Sequence, residues 1–440
     1  MKISKFLQKI KLKEDLYAIY NNLVMDIYFV NSDKYKNILK FNVIEKEKKN
    51  LINSKIYILD KEDDYLLEKL QKEKEEQIGK IKTMYLCVTS SCNLGCSYCF
   101  INNQKNKTNK LLNMDLETAL VALEKFSNYL KESNNIGKVV FYGGEPLIKW
   151  DIIKKCILET KNKKYPIIFS IITNATLLSE EMINFLKRNK VNVGISIDGP
   201  RKLNDKNRKY IIDNKSVYDD VFNKIELLKK HKCDFGLSIT ISNEILNNQD
   251  EIISWLKECG VNNISYNMLH YTWKVSNWED YYLEATRFIC KSYLKNKDCI
   301  EGSIQSKINY LLQEKFCFFG CSAIGKRQIV VKPNGDICIC HGQFRDDNST
   351  FSNIRDIDLY SIKYNENLDC WNSIIPLNND NCLKCPALSI CGGGCLLQTR
   401  TLFNEDSIDK AMCIFNKKVL EFILLQIYEI MRGGDNSVEG

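Results

Sequence analysis

Long hydrophobic runs are missing from this chain. No window reaches the roughly 18 consecutive apolar residues that a membrane-spanning helix needs. The Lys-rich start, "MKISKFLQKIKLKED", lacks the apolar stretch of a signal peptide. These absences argue against a membrane protein and against an exported one, so we expect a cytoplasmic enzyme.

A nucleic-acid-binding module is also missing. The 63 Lys and Arg exceed the 55 Asp and Glu and give a net charge of +8, but much of that charge is lysine spread through Lys/Asn/Ile-rich sequence. Such a modest field attracts an acidic peptide more readily than DNA. We therefore predict no nucleic-acid partner.

Histidine is scarce and cysteine is abundant. The chain has three histidines, His231, His270 and His341, against 19 cysteines. An odd cysteine count without an export signal argues against a disulfide framework, because the cytosol keeps thiols reduced. Clustered thiolates in that compartment usually hold zinc or iron-sulfur clusters.

The length of 440 residues predicts two or three packed units. We place an N-terminal unit and linker at 1–80, a core at 81–300 and a cysteine-rich unit at 301–440. The first contains a predicted hairpin, "LYAIYNNLVMDIYFVN", in which Asn21 and Asn22 separate two apolar runs. The last has short loops pinned by cysteines and a closing apolar helix, and we expect bound metal to stabilise it.

Predicted strands and helices alternate regularly in the core. Six short β-branched or aromatic runs occur at "MYLCV", "KVVFYGG", "PIIFSIITN", "VNVGISIDG", "FGLSITIS" and "NISYNML". Amphipathic stretches separate them, and Ser179 is a good N-cap for one of these. Six parallel βα units are fewer than the eight of a full barrel, so the pattern predicts an α/β fold with an open, partial barrel. Its site is expected at the C-terminal ends of the strands.

Three cysteines, Cys92, Cys96 and Cys99, follow the first predicted strand directly. Three thiolates leave one iron of a cubane cluster without a protein ligand. That iron is open to a substrate or cofactor, by the logic that separates open catalytic zinc sites from closed structural ones. Zinc held by these thiols and a distant histidine is the alternative.

The C-x3-C-x2-C spacing, with Tyr98 inside it, resembles the signature of radical S-adenosylmethionine (SAM) enzymes. Further segments at successive strand ends resemble the SAM-binding positions of that family. They are Gly143, Gly144, Glu145 and Pro146 for the SAM amino group; Thr173 and Asn174 after the third strand; Ser196 and Asp198 for the ribose; Arg208 for the carboxylate; and Asn267 for the adenine.

Each of these segments has a plainer explanation. Gly143–Gly144 and Asp198–Gly199–Pro200 are compatible with simple turns, and Arg208 with a surface charge. Their order favours a shared site, because independent turns need not converge on one face of a barrel. The resemblance implies that SAM binds the open iron and is split reductively into methionine and a 5′-deoxyadenosyl radical, which takes a hydrogen atom from the substrate.

A second cysteine array resembles the seven-cysteine SPASM domain, which carries two auxiliary [4Fe-4S] clusters. The resemblance implies three [4Fe-4S] clusters in all. It assigns Cys321, Cys340 and Cys395 to the first auxiliary cluster, and Cys382, Cys385, Cys391 and Cys413 to the second. Cys317 is a possible fourth ligand of the first; because it lies close to Cys321 in sequence, that position is alternatively open. The remaining cysteines are interpreted as core residues.

Two related families differ at the residue after Cys340. Anaerobic sulfatase-maturating enzymes carry an aspartate base there, whereas this chain has His341, in "GDICICHGQF". The segments "CHGQF", "FSNI" and "LCVTSSCNLGCSYCF" resemble maturases of ribosomally made peptides, notably those that form thioethers. His341 is a candidate acid or base, or a neighbour of the cluster.

The resemblance predicts a partial (β/α)6 radical SAM barrel, a C-terminal SPASM domain and a small N-terminal α+β recognition domain. Such an enzyme forms a thioether or carbon–carbon crosslink in a precursor peptide, whose leader adds a strand to the N-terminal sheet. A flavodoxin- or ferredoxin-type protein is the implied electron donor. Sulfatase-type oxidation of Cys or Ser to formylglycine is the alternative enzyme, and an iron-sulfur electron-transfer or scaffold protein is the alternative of another class.

Overall fold

The N-terminal unit of the computed structural model combines a small sheet with three helices. The structure describes residues 1–99, 101, 111–269, 277–403, 405 and 408–435. Strands of this unit are β1 (Lys2–Ile3), β2 (Leu7–Lys13), β3 (Leu16–Asn21), β4 (Tyr28–Val30) and β5 (Tyr57–Ile58). Its helices are α1 (Ser32–Leu39), α2 (Glu45–Asn53) and α3 (Glu62–Glu75). Antiparallel β2, β3 and β4 form a sheet in that order, and β1 pairs with β5.

The predicted hairpin is confirmed, since β3 and β4 pair antiparallel. Asn21 and Asn22 do not form a two-residue turn, however, because their side chains form hydrogen bonds to other segments of the chain. The Asn21 amide donates to Ser4 and to the Lys55 carbonyl, and the Asn22 amide donates to the Cys385 carbonyl. A longer loop therefore joins the strands.

Six strands form the core of the large sheet, and they are the six that the sequence predicts. They are β6 (Thr83–Thr89), β7 (Gly137–Gly143), β8 (Ile167–Thr173), β9 (Asn192–Ser196), β10 (Phe235–Ile241) and β11 (Asn263–Met268). Each pairs in parallel with the next. The helices around them are α4 (Leu116–Glu132), α5 (Trp150–Asn162), α6 (Glu180–Arg188), α7 (Arg201–Asn207), α8 (Val217–Lys230), α9 (Asn243–Leu246), α10 (Gln249–Cys259) and α11 (Trp278–Lys295).

Local chemistry explains these elements. Met84, Leu86 and Val88 of β6 belong to the main hydrophobic core, whereas Cys87 faces a separate buried cluster. A parallel strand that is covered on both faces has a continuous apolar sequence, and β6 has such a sequence. The predicted cap of α6 is confirmed, since the Ser179 hydroxyl accepts a hydrogen bond from the backbone N–H of the third helical residue.

The cysteine-rich region extends the same sheet. Its strands are β12 (Ile300–Glu301), β13 (Gln328–Val331), β14 (Asp336–Cys338) and β15 (Ser352–Asn353). Strand β12 adds in parallel to β11 at one edge, and β13 adds in parallel to β6 at the other, followed by antiparallel β14 and β15. The sheet is therefore an open one that runs through both regions.

Short elements dominate beyond residue 300, as the sequence predicts. The α-helices are α12 (Gly302–Leu312), α13 (Asp380–Leu383), α14 (Leu388–Cys391), α15 (Leu396–Leu402) and α16 (Lys410–Asp435). Single 3-10 turns lie at Pro146–Lys149, Ile324–Lys326, His341–Gln343, Asp347–Ser349, Leu359–Tyr364, Glu366–Asn372 and Pro376–Asn378. Within the described ranges, no helix combines the length and the apolar character needed to span a membrane.

Candidate active site at the ends of the parallel strands

The three-cysteine loop lies at the C-terminal end of β6. Backbone hydrogen bonds hold it, from the Gly95 N–H to the Lys209 carbonyl at 2.8 Å and from the Ser97 N–H to the Asn207 carbonyl at 2.9 Å. Burial, together with the charges of Glu145, Cys96 and Cys99, raises the pKa of the Cys92 thiol to about 12. Three neighbouring, partly buried thiols fit an iron cluster, whose positive charge would let all three bind as thiolates.

Two glycines at the end of β7 let the chain pass close to this loop. Gly143 has a φ of +132°, and a Cβ built on it would lie 2.1 Å from the Thr89 carbonyl oxygen. A Cβ on Gly144 would lie 2.1 Å from the Ser91 carbonyl oxygen. The Gly144 N–H donates to that Thr89 oxygen at 2.9 Å, so the strand end and the cysteine loop are directly bonded. Only glycine fits this approach.

We expect Gly144→Ala to prevent cluster assembly at Cys92, because the added methyl group must push the cysteine loop away from β7. The measurement is iron content and visible absorbance after anaerobic reconstitution. Gly194→Ala on β9 is the matched control, since its added Cβ would meet nothing closer than 3.6 Å. Equal cluster loading in both variants would contradict the proposed role of Gly144.

Glu145 ties the ends of β7 and β8 together. Its buried carboxylate accepts hydrogen bonds from the Leu147 N–H at 3.0 Å, the Thr173 hydroxyl at 2.6 Å and the Asn174 N–H at 2.7 Å. Burial raises its pKa to about 7, against the opposing effect of these donors. Pro146 begins the short helical turn that follows. The structure thus brings the second and third predicted SAM-binding segments together.

Asn174 also connects this edge to the cysteine loop. Its side-chain amide donates to the Asn93 side-chain oxygen at 2.9 Å and lies 3.9 Å from the Cys92 sulfur. Residues on three successive strand ends therefore surround one point. That convergence distinguishes a site from a set of independent turns.

Asp198 and Arg208 form a buried ion pair beside the loop. Two guanidinium N–H groups of Arg208 donate to the Asp198 carboxylate, at 2.9 and 3.1 Å. The same carboxylate accepts from the Tyr98 hydroxyl and from the Thr240 N–H. The interpretation of Arg208 as a surface charge is wrong, because its side chain is only 7% exposed. Its contact with the SAM carboxylate, and that of Asp198 with the ribose, stay predictions.

Ser196 and Asn267 border the next strand along the sheet. Ser196 is in register with Ser238 of β10, and the Asn267 amide donates to the Ser238 hydroxyl at 2.8 Å. Asn267 is exposed, so its side chain is accessible at the open face of the sheet. Its predicted contact with adenine is compatible with that position and stays a prediction.

The second cysteine array separates into two groups. The thiol of Cys340 lies near those of Cys321 and Cys395, whose charges raise its pKa further after burial. A different group of four, Cys382, Cys385, Cys391 and Cys413, lines one small cavity. The Asn416 amide donates to the Cys391 sulfur at 3.2 Å, and the Gly342 N–H to the Cys340 sulfur at 3.3 Å. Both groups are those expected from the sequence, and N–H donors to sulfur are typical around iron-sulfur clusters.

Cys317 lies in a different environment. Its thiol is influenced first by burial and then by Lys307 and Tyr310. A Cβ on Gly392 would lie 2.7 Å from the Cys317 sulfur, so this cysteine packs against the turn after Cys391. Whether it completes the first auxiliary site stays open.

A family model matches the part of the chain that carries the first site. Residues 86–256 match the model of the radical SAM superfamily. This part of the chain is a radical SAM domain. The match covers β6 to α10, and therefore every strand end from Cys92 to Arg208 described above.

Relatives of this radical SAM enzyme fall into three kinds. It is 36% identical over 195 residues to an uncharacterized protein of Methanocaldococcus jannaschii, covering 44% of this chain and 64% of that protein. It is 25% identical over 374 residues to the radical SAM cyclopropyl synthase TigE of Paramaledivibacter caminithermalis, covering 80% of this chain and 76% of TigE. It is 25% identical over 326 residues to a cysteine-type anaerobic sulfatase-maturating enzyme of Clostridium perfringens, covering 70% and 86%.

Solved structures share the fold of this enzyme. Native anSMEcpe with bound AdoMet aligns with a TM-score of 0.63 and 21% identity, over 80% of this chain and 99% of that one. Streptococcus suis SuiB bound to the precursor peptide SuiA aligns with a TM-score of 0.53 and 17% identity, over 94% and 99%. At these identities the likeness concerns the fold.

The zinc alternative finds no support among the described residues. There, no three His, Cys, Asp or Glu side chains are close enough to hold a single metal ion. A cubane needs wider spacing, because each thiolate binds a different iron. His231 contacts Asn184 and Glu180 on α6, and His341 stacks on Tyr85. His270 lies outside the described residues.

Two tyrosines form part of a wall inside the radical SAM barrel. The sequence interpretation missed both of them. The ring of Tyr85 stacks on His341 at 4.4 Å, and Tyr142 meets the same imidazole edge-on at 5.3 Å. Burial raises the pKa of Tyr142, and the neighbouring Tyr85, Cys99, Cys87 and Cys340 add to this effect, so its ring lies near thiols of both cysteine arrays. Their alternation with core residues in "MYLCV" and "VVFYGG" is the signal that indicates an inward-facing position.

Burial also lowers the pKa of His341 to about 4. Burial therefore favours the neutral form of the imidazole. The structure places His341 in the barrel wall next to Cys340. Its catalytic role stays a prediction.

Proposed function

We propose that this radical SAM enzyme crosslinks a ribosomally synthesised precursor peptide in the cytoplasm, through a thioether or a carbon–carbon bond. The observation that carries the proposal is the position of His341, which stacks on Tyr85 and meets Tyr142 edge-on beside Cys340, where the resemblance to sulfatase-maturating enzymes implies an aspartate. SuiB, solved with a precursor peptide bound, supports a peptide substrate. TigE, a cyclopropyl synthase, supports a bond-forming reaction.

Three [4Fe-4S] clusters belong to the proposal. Cys92, Cys96 and Cys99 would hold the SAM-binding cluster, and the SPASM region would hold two auxiliary ones with the ligands given above. Bound SAM supplies the 5′-deoxyadenosyl radical that removes a hydrogen atom from the substrate. A flavodoxin- or ferredoxin-type protein would supply the electron.

The residues of the chain prepare the site for that chemistry. Glu145, Asp198 and Arg208 are fixed by hydrogen bonds within the chain, so little reorganisation is needed on binding. Tyr85 and Tyr142 close the wall between the sites and exclude water from it. Such exclusion protects a reactive substrate from side reactions.

The N-terminal unit would bind the leader of the precursor. Its three-stranded sheet has β2 and β4 as outer strands, and a peptide could add to one of these edges. Leader binding holds the core peptide at high effective concentration near the barrel. The barrel itself then needs less affinity for each substrate residue.

The test is reconstitution with SAM, a reductant and each small peptide encoded beside the gene. We expect one peptide to become lighter by two hydrogen atoms per crosslink, as measured by mass spectrometry with fragmentation. Cleavage of SAM with every such peptide unchanged in mass would contradict the proposal. No SAM cleavage at all would favour an electron-transfer or scaffold role.

Sulfatase-type maturation is the second candidate. Similarity to a cysteine-type maturating enzyme over 86% of its length favours it. A sulfatase-derived peptide with a target cysteine distinguishes the two functions. Formylglycine in that peptide, with the neighbouring precursor peptides unchanged, would establish the second candidate.

A further inference from the structure

A groove separates the N-terminal unit from the cysteine-rich region. It has a volume of about 610 Å³, within the range of ligand sites. One wall is a face of α3, represented by Leu66, Leu70 and Glu73, and the other includes Phe316 and Phe318. The span from Leu66 to Glu73 is about 10 Å at 1.5 Å per residue. An extended ligand fits such a shape better than a compact one.

Two buried polar atoms in the lining of the groove have no hydrogen-bond partner in the described part of the chain. They are the Nε of Arg327 and the hydroxyl oxygen of Ser389. The Arg327 guanidinium packs over the Phe319 ring at 4.8 Å, and no described carboxylate pairs with it. A buried donor without an acceptor is unfavourable, and more so when it is charged. An acceptor from a ligand would remove that cost.

The charges of the groove indicate the sign of that ligand. Four basic residues line it, Lys55, Lys69, Lys315 and Arg327, against the two carboxylates Glu73 and Glu314. Lys55 is neutralised by Glu62 at 2.6 Å. The remaining excess is positive, and Arg327 is its partly buried member. A ligand carboxylate can accept two parallel hydrogen bonds from a guanidinium.

We propose that the groove binds an extended, acidic and apolar segment of the substrate peptide. A carboxylate of that segment contacts the Arg327 guanidinium, and its apolar side chains pack between Leu66, Leu70 and Phe316. The inference rests on the proposed peptide substrate and adds a second contact surface to it, separate from the edges of the N-terminal sheet.

The experiment uses the iron-loaded, full-length protein and a random dodecapeptide library displayed on phage. We expect enrichment of peptides that combine Asp or Glu with Leu, Ile or Phe. The most enriched sequence is then synthesised with fluorescein, and its Kd is measured by anisotropy. We expect Arg327→Gln to weaken binding about tenfold or more, as loss of a charge-assisted hydrogen bond does.

Two further variants make the result decisive. Lys69→Glu changes an exposed residue of the opposite wall and should also weaken binding. If Arg327→Gln lowers the unfolding midpoint, the Kd of the Lys69→Glu variant decides the test. Arg188→Gln, at the exposed end of α6, is the matched control and should bind like the wild type. The inference is wrong if no acidic and apolar peptides are enriched, or if both groove variants bind as tightly as the wild type.

Binding is measured without SAM, so its failure is separate from failure of the proposed function. A crosslinked precursor together with unchanged Kd values would overturn the groove and leave the function intact. Groove-dependent binding without any crosslinked peptide would support the groove as a peptide site and overturn the reaction.

Discussion

Replacing Cys92, Cys96 and Cys99 together by alanine is expected to abolish SAM cleavage, because these are the three thiols proposed to hold the SAM-binding cluster. The auxiliary clusters should remain, since their cysteines lie in the other two groups. Iron should therefore fall from about twelve to about eight atoms per chain, at four per cubane. The measurements are 5′-deoxyadenosine by chromatography and iron by colorimetry.

Cys290→Ala provides the control for this triple replacement. Cys290 is partly buried on α11 and lies outside all three cysteine groups. Its loss should change neither iron content nor SAM cleavage. Continued cleavage by the triple variant would show that the radical is generated elsewhere, and wild-type iron near eight would show that one auxiliary site is misassigned.

Asp198→Asn is expected to lower the free energy of unfolding by about 3–5 kcal/mol, because it leaves the Arg208 charge buried without a counter-ion. The Asp198 side chain is 1% exposed and that of Arg208 is 7% exposed, so water cannot replace the lost partner. Thr240 and Tyr98 also lose a charged acceptor. Urea unfolding of the anaerobic protein measures the effect.

Asp219→Asn is the matched control for this prediction. Asp219 pairs with Arg201, but these side chains are 40% and 63% exposed. Exposed pairs contribute about 0–1 kcal/mol, so we expect a small change. Asp198→Asn combined with Arg208→Met should recover part of the loss, because both charges are then absent. Equal losses from the two single variants would contradict the buried ion pair.

Much of the radical SAM core could be predicted from sequence because its signals are local. Each of the six strands is an apolar run, and strands of a parallel sheet are covered on both faces. The capping hydroxyl of Ser179 indicates the start of α6. The glycines at 143 and 144 mark a close approach, although the sequence does not say what is approached. The structure identifies it as the carbonyls of Thr89 and Ser91.

Contacts between distant segments were not predictable in the same way. The hairpin loop after Asn21 was assigned too short, because the side chains of Asn21 and Asn22 bond residues far along the chain. Arg208 had a surface interpretation beside its functional one, and its bidentate contact with Asp198 excludes the former. Tyr85 and Tyr142 carried no motif, so their stacking around His341 emerged only from the folded barrel.

By itself, the sequence determined the chemistry that this chain can carry: the number and spacing of its thiols, the order of its strands and the residues at their ends. These properties follow from neighbours within a few positions. The tertiary structure decided which of them meet. It joined β13 to β6, brought the second cysteine array into two groups and set Cys317 apart, and it left the Arg327 Nε without a hydrogen-bond partner among the described residues. Such contacts depend on packing between segments that are distant in sequence.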